Sequence, residues 1–401
     1  MTNRKEILKL AKKYHPQGCE LRNYLHQNPE LSEKEYETSK YLKAQCEKLG
    51  LVVEDVPHST GFTALLDTGR PGKTLGIRTD IDALPISEDP NNLKGPKKVV
   101  SQKSGIMHAC GHDVHMSIAL TSAKILNNLK DELSGKVYFI FEEGEETGGG
   151  IDAMVRHLKD KNLDGVYGNH VDPGIKTGEF SINKGSVYAG CGGFDIDVIG
   201  SGGHGSRPDL SISPLVGAVN IVNALNSAWN NRINQKDLVT LGIGAINGGF
   251  ASNVIPDTCN IKGTIRFFDQ KIGEESLEFL KETAQAAARL NGCRVSFNPY
   301  TRIVAKPTSN DPELADFARD TLDEIFENSL VKQEPAFGSE SFSGYGDLAP
   351  SVFVKLGIKN EDLGTGAGPH TPKFDVDTDV IYYGSGLAST FALNFLSGAR
   401  R

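Results

Sequence analysis

No stretch of the 401 residues reaches the roughly eighteen consecutive apolar side chains that a membrane-crossing helix needs, so the chain is not expected to span a membrane. Positive charge is also in short supply. With 43 Lys and Arg against 51 Asp and Glu, the formal net charge of -8 makes a nucleic-acid backbone an unfavourable partner. Cysteine is sparse: Cys19, Cys46, Cys110, Cys191, Cys259 and Cys293 are irregularly spaced, which argues against a disulfide framework in a chain this long. The opening segment, MTNRKEILKLAKKYHPQG, has a helical apolar period (Ile7, Leu8, Leu10, Ala11, Tyr14) broken by lysines, unlike the continuous apolar core of a signal peptide. These features together place the expected location in the cytoplasm. Glycine is abundant, at 44 residues, yet no G-x-G-x-x-G follows a strand and opens a helix, so dinucleotide binding is disfavoured.

The length is more than one ordinary core accommodates and predicts two domains. Residues 4 to 50 read as two helices, the second entered through a Ser32/Glu35 capping box and closed at Gly50. Apolar runs at 61–67, 74–78 and 137–141 alternate with a helical stretch at 113–129, the texture of an α/β fold with a mixed or largely parallel sheet. A different pattern follows. Strands at 194–200, 238–246, 260–268 and 294–300 interleave with helices at 212–229 and 274–291, giving a βαββαβ order that describes a ferredoxin-like unit. A helix at 311–327 and an apolar run near 351–356 then resume the α/β texture. The expected organisation is an α/β/α catalytic domain formed by residues 1–187 and 303–401, with a smaller domain, 188–302, inserted between hinges near 187 and 302.

Two segments carry the chemistry. HACGHDVH (108–115) packs one cysteine and three histidines into eight positions, and FEEGEETGGG (141–150) crowds four glutamates with four glycines just after a buried strand. Thiolate, imidazole and carboxylate are the donors a borderline divalent cation such as zinc selects. Cys110 and His112, two apart on a turn loosened by Gly111, can face one cation. Four crowded carboxylates need solvent or a cation to offset their repulsion. Each feature alone also has a plainer reading: a buried thiol beside a surface ring, and a solvated acidic loop. His170 and His370 sit in glycine- and proline-rich contexts read as turns, where a lone histidine is more often structural.

In combination and in order, RTDIDALP (78–85), HACGHDVH, EEGEE (142–146), NH (169–170), GSGGHGSRP (200–208), NVIPD (253–257), GTIR (263–266) and GTGAGPHTP (364–372) resemble the M20 metallopeptidase superfamily. The resemblance is to its aminoacylase branch, which contains hippurate hydrolase and the auxin-conjugate amidohydrolases, and it runs from about residue 25 nearly to the C-terminus. It implies a zinc-exopeptidase-type catalytic domain with an inserted lid and dimerisation domain. It also implies two divalent metal ions held by Cys110, His112, Glu146, His170 and His370, with zinc the first expectation and manganese, cobalt or nickel able to occupy such a site. Glu145 then matches the general base, and His204 the histidine that reaches a neighbouring subunit's site to stabilise the oxyanion. Asn253 and Arg266 match positions that hold substrate, a guanidinium being the natural partner of a free carboxylate.

The sequence departs from the superfamily pattern in two places. A His-x-Asp pair is replaced by Asp80 and Asp82, so Asp80 is not expected to ligate, whereas Asp82 is expected to orient a ligand from behind. Glu142, Glu143 and Gly144 stand where the branch usually has Gln-Pro-Ala, and Asp172 where an aromatic is common. The implied reaction is metal-dependent hydrolysis of N-acyl or N-aroyl amino acids by a homodimer. Alternatives on the same centre are a dipeptidase or an aminobenzoyl-glutamate-type carboxypeptidase. Outside it stand a cysteine hydrolase, with Cys110 activated by His112 or His108, and a catalytically inert binding protein.

Overall fold

The computed structural model describes residues 4–398. In chain order its elements begin with helices α1 (Arg4–Gln27) and α2 (Tyr36–Lys48), strands β1 (Val52–Asp55), β2 (Phe62–Asp67) and β3 (Thr74–Asp80), helix α3 (His112–Asn128), β4 (Lys136–Glu142), α4 (Ile151–Leu158), β5 (Gly165–Lys176) and β6 (Phe180–Ser181). Strand β7 (Gly185–Tyr188) leads into β8 (Gly190–Ile199), β9 (Gly203–His204), α5 (Pro214–Arg232), β10 (Thr240–Gly248), β11 (Val254–Ile255), β12 (Thr258–Phe267), α6 (Gln270–Arg289), β13 (Arg294–Phe297) and β14 (Arg302–Ala305). The chain ends with β15 (Thr308–Asn310), α7 (Pro312–Asp323), β16 (Ser351–Lys359) and α8 (Val380–Leu396).

Two compact units result: residues 1–185, 309–334 and 344–401 form one, and 186–308 with 335–343 the other. The passages between units fall between residues 185 and 186 and between 308 and 309. The 335–343 segment was read with the larger domain and belongs with the smaller unit instead. Its tie is visible locally, where Ala336 bridges Tyr188 and Phe337 packs edge-on against Phe268.

The larger unit is built on a seven-stranded mixed sheet, ordered β1-β2-β4-β3-β5-β16-β6, in which β4, β3, β5 and β16 run parallel. Parallel strands buried on both faces read as continuous apolar runs, which is why VYFIF and TLGIR were legible. Helices α1, α3 and α8 pack with one another beside this sheet. Almost every residue of α3 and α8 is buried, so neither shows the one-sided periodicity of a surface helix. The smaller unit has its own core around Phe194, Ile196, Ile221, Ile265 and Leu280. Its antiparallel sheet is ordered β10-β12-β8-β13, with β14 also on β8, and α5 and α6 pack against it. The expected βαββαβ order is present. Among the described residues no helix is long and apolar enough to cross a membrane.

Two local expectations need correction. The Ser32/Glu35 capping box does not form: α2 has no side-chain cap, because Ser32 Oγ donates to Asp82 Oδ2 at 2.7 Å and Glu35 is fully buried, accepting from Gly144 N–H. His170 lies not in a turn but within β5, where Gly168 and Pro173 are accommodated in a twelve-residue strand of the sheet.

Candidate metal centre

Strand ends of the parallel sheet place most of the site. Asp82 follows β3, Glu145 and Glu146 follow β4, and His170, midway along β5, is two residues past the partner of Arg78 near the end of β3, so the groups gather at the level where β3 and β4 end, the edge at which open α/β sheets bind ligands. Cys110 and His112 arrive from the start of α3. The turn between them needs glycine. Gly111 has φ +88°, and a Cβ there would lie 2.4 Å from Val171 Cγ2.

Four overlapping groups of donor atoms each lie within 4.8 Å of one another: Cys110 with His112 and His170, Cys110 with Glu146 and His370, His112 with Glu145 and Glu146, and Asp80 with His112 and His115. His112 is common to three of them, and Cys110 and Glu146 to two each. Cys110 Sγ is 3.3 Å from His170 Nε2, and Glu146 Oε1 is 3.2 Å from His370 Nε2 and 3.9 Å from His112 Nε2.

The tautomers are fixed from behind. His170 Nδ1 donates to the carbonyl of Val171 at 2.7 Å, and His112 Nδ1 donates to the carbonyl and to Oδ1 of Asp82 at 2.9 and 3.0 Å. Both rings therefore turn an Nε2 lone pair inward. His112 Nε2 is buried without a hydrogen-bond partner, an arrangement costly for a protein alone and fitted to a cation. Asp82 Oδ2 also accepts from Glu146 N–H at 3.0 Å, so a single carboxylate holds both a histidine and the backbone of the acidic turn. Ser32, which donates to the same oxygen, was read from the sequence only as part of a helix cap.

His115 and Asp80 are already spent. His115 Nδ1 donates to Asp80 Oδ1 at 2.7 Å and its Nε2 accepts from Val171 N–H at 3.0 Å. Asp80 Oδ2 accepts from Arg78 at 2.8 Å, and the same fully buried guanidinium donates to Glu142 Oε2 at 2.9 Å, which also receives the Tyr345 hydroxyl at 2.6 Å. This network explains the acidic turn. Its first glutamate is compensated by Arg78 and needs neither solvent nor a cation; Glu143 accepts from Thr60 instead.

The electrostatics follow burial and neighbours. Burial pushes the Cys110 thiol well above its usual range, so without a cation it is an uncharged and poor nucleophile, which weighs against the cysteine-hydrolase reading. Burial holds His170 well below the usual histidine value and brings His108 down to about 4. His112 is raised despite burial, chiefly by the charge of Asp80 and the hydrogen bond to Asp82. His370, half exposed and strained into φ 59°, is raised mainly by its hydrogen bond to Glu146, and its backbone N–H is anchored on Ala109 O at 2.8 Å.

The remaining predicted residues belong to the smaller unit. His204 lies on β9, paired with Val254 of β11, and Gly205 N–H donates to Asn253 O at 2.8 Å, so His204 and Asn253 share one exposed ribbon. Ser206 N–H donates to His204 Nδ1 at 3.1 Å, which leaves the Nε2–H free to donate outward. Arg266 is separate from this ribbon, on β12, and its Nη1 donates to Ser339 Oγ at 2.6 Å.

The family model for peptidase family M20/M25/M40 matches residues 76–394. Thermostable carboxypeptidase 2 of Saccharolobus solfataricus is 34% identical over 381 residues, covering 94% of both chains. The IAA-amino acid hydrolase ILR1-like 4 of Arabidopsis thaliana is 32% identical across 94% of this chain and 85% of its own length, and the N-acetyl-L-cysteine deacetylase of Bacillus subtilis 30% identical across 90% and 84%. A solved structure from methicillin-resistant Staphylococcus aureus matches with a TM-score of 0.91 at 31% identity over 98% of this chain and all of that one. The YXEP protein of Bacillus subtilis, described as a dinuclear metal-binding peptidase of the M20 family, matches with a TM-score of 0.83 at 27% identity over 97% of this chain and all of its own.

Proposed function

As a member of peptidase family M20/M25/M40 the chain is a metal-dependent hydrolase of amide or peptide bonds, and we propose that it releases free amino acids from N-acyl or N-aroyl amino acids. The observation that supports this reading is the convergence of Cys110, His112, Glu146, His170 and His370, with His112 Nε2 buried and unpartnered among them. On this reading the five side chains hold two divalent ions, with zinc favoured by the thiolate and imidazole donors. Bound there, the ions supply Lewis acidity and lower the pKa of water towards about 7.

The protein's own part is positional and protonic. Glu145, beside the ligating Glu146, takes the proton of the attacking water and returns it to the leaving nitrogen. His204 presents its Nε2–H to the oxyanion, a role worth roughly 3 kcal/mol for comparable donors. Arg266 receives the substrate carboxylate through its planar fork, and Asn253 contributes to substrate holding from the ribbon it shares with His204. The smaller unit acts as lid and dimer contact. Its exposed apolar side chains, Phe250 at 86% and Val216 and Val219 above half, together with edge strand β10, support pairing with a second copy. Six free cysteines are consistent with the cytoplasm.

Two carboxypeptidase relatives at 34% identity favour peptide-like substrates as the second reading. A turnover panel on metal-loaded protein separates the two. Acetyl-, benzoyl- and indoleacetyl-amino acids should be cleaved faster than dipeptides, N-blocked peptides and aminobenzoyl-glutamate. The reverse ranking would establish the peptidase reading, and no turnover on any of them would remove both.

A further inference from the structure

A cluster of acids behind the catalytic turn plays no part in metal binding. Glu35, Thr60 and Glu143 are buried together, at 0%, 8% and 6% exposure. Thr60 Oγ1 lies 2.6 Å from Glu35 Oε2 and 2.8 Å from Glu143 Oε2, both hydrogen-bonding distances. A hydroxyl has one proton to give. It can donate to one carboxylate only, and it can meet the other only by accepting, which requires that carboxyl to be protonated.

The neighbours decide which one. Glu143 Oε2 already accepts Thr60 N–H at 2.6 Å, so it is the oxygen placed to accept the hydroxyl proton as well. Glu35 Oε1 accepts from Gly144 N–H at 2.9 Å and from Glu33 N–H at 3.0 Å, which leaves Oε2 to carry the proton towards Thr60. Gly144, with φ 58°, is the residue from which the Glu145–Thr147 turn springs.

We infer that Glu35 is a positioning residue held as a neutral carboxylic acid, which grips Gly144 through its carbonyl oxygen and so sets the place of Glu145 and Glu146. The inference rests on the reading of those two residues as base and ligand. Burial is the leading influence on Glu35 and lifts its pKa to about 7, against the lowering effect of its hydrogen bonds and with some help from Asp82. The charged groups nearby are Glu143, Asp82 and Glu33, with Lys40, Lys43 and Arg156 along an adjoining groove of about 850 Å³ that Thr60 and Glu143 help to line. Lys40 and Lys43 are paired elsewhere, with Glu37 and Asp55.

The test compares Glu35→Gln with Glu35→Ala in the metal-loaded protein. The amide reproduces both halves of the neutral acid, accepting from Gly144 and donating to Thr60, so Glu35→Gln should keep kcat near wild type and lose any decline of kcat above neutral pH. Glu35→Ala should lower kcat by roughly 10²-fold, the scale of a small misplacement, with KM moving less. Infrared difference spectra at pH 6 should contain a buried carboxylic-acid carbonyl band that Glu35→Gln removes. This spectrum needs no turnover, so it decides the matter if the alanine variant does not fold. Absence of the band, or a glutamine variant as impaired as the alanine one, overturns the inference. Full activity in Glu145→Gln with the band intact would instead remove the base assignment and leave the protonated acid standing.

Discussion

Replacing Asp82 by alanine removes the one side chain that ties a metal-binding histidine to the acidic turn. Three contacts disappear: His112 Nδ1 at 3.0 Å, Glu146 N–H at 3.0 Å and Ser32 Oγ at 2.7 Å. His112 keeps the Asp82 carbonyl at 2.9 Å, so its tautomer survives while the charge behind the ring and the anchor of Glu146 are lost. Loss of such a supporting group typically weakens metal affinity by roughly 10- to 100-fold. At about 1.4 kcal/mol per decade, that is about 1.4 to 2.8 kcal/mol. The upper end is expected, because one substitution loosens two ligands. Competition with a chromophoric chelator measures the affinity, and circular dichroism establishes that the variant is folded. Asp82→Asn should fall between, since its amide oxygen serves either His112 or Glu146 but its NH₂ repels the other donor. A folded Asp82→Ala protein with wild-type metal affinity would refute the reasoning.

Glu145→Gln should leave metal content near normal and lower kcat by roughly 10² to 10⁴, the scale of a lost general base; elemental analysis beside initial rates checks both. Since a hydroxyl is a poor soft ligand, Cys110→Ser should weaken metal binding, and unchanged stoichiometry and affinity would count against the thiolate ligand. His204→Ala should reduce kcat by roughly 10² to 10³ with little change in KM. If it serves a neighbouring copy, mixing inactive His204→Ala with inactive Glu145→Gln should restore activity as subunits exchange, and persistent inactivity of proven mixed dimers would argue against that geometry. Hydrogen bonds from His26 and Lys97 hold Glu88 at about 2 although burial alone would raise it. Its folded value is therefore below the ordinary 4.5, so its contribution to stability is present above that value and is lost as pH falls towards 2. Glu88→Gln should flatten the acid limb of a pH series of denaturation midpoints; an unchanged limb would show that other groups set it.

Donor chemistry and strand periodicity were legible because each is written locally. HACGHDVH displays its sulfur and nitrogens in one turn, and β3 and β4 appear as short apolar runs since both faces of the parallel sheet are covered. What lay hidden was pairing at a distance. Ser32 reaches Asp82 across fifty residues, and Glu142 meets Tyr345 across 203, so no window along the chain shows either. Ser32 and Glu35 match a capping pattern, yet the bonds go to tertiary partners that offer buried compensation instead. His170 was misplaced for a related reason. Gly168 and Pro173 signal a turn, but β3 and β16 on either side supply the ladder that keeps β5 extended. The glutamate-rich turn looked like one electrostatic feature and is three: an ion pair at Glu142, hydrogen bonds from Thr60 at Glu143, and two groups left for chemistry.

Anomalous diffraction at the zinc edge, from crystals of zinc-loaded protein, tests the central claim most directly. Two peaks are expected, both among the side chains of Cys110, His112, His170, Glu146 and His370. A map with no peak among these five side chains, or with zinc bound only at the protein surface, would contradict the account.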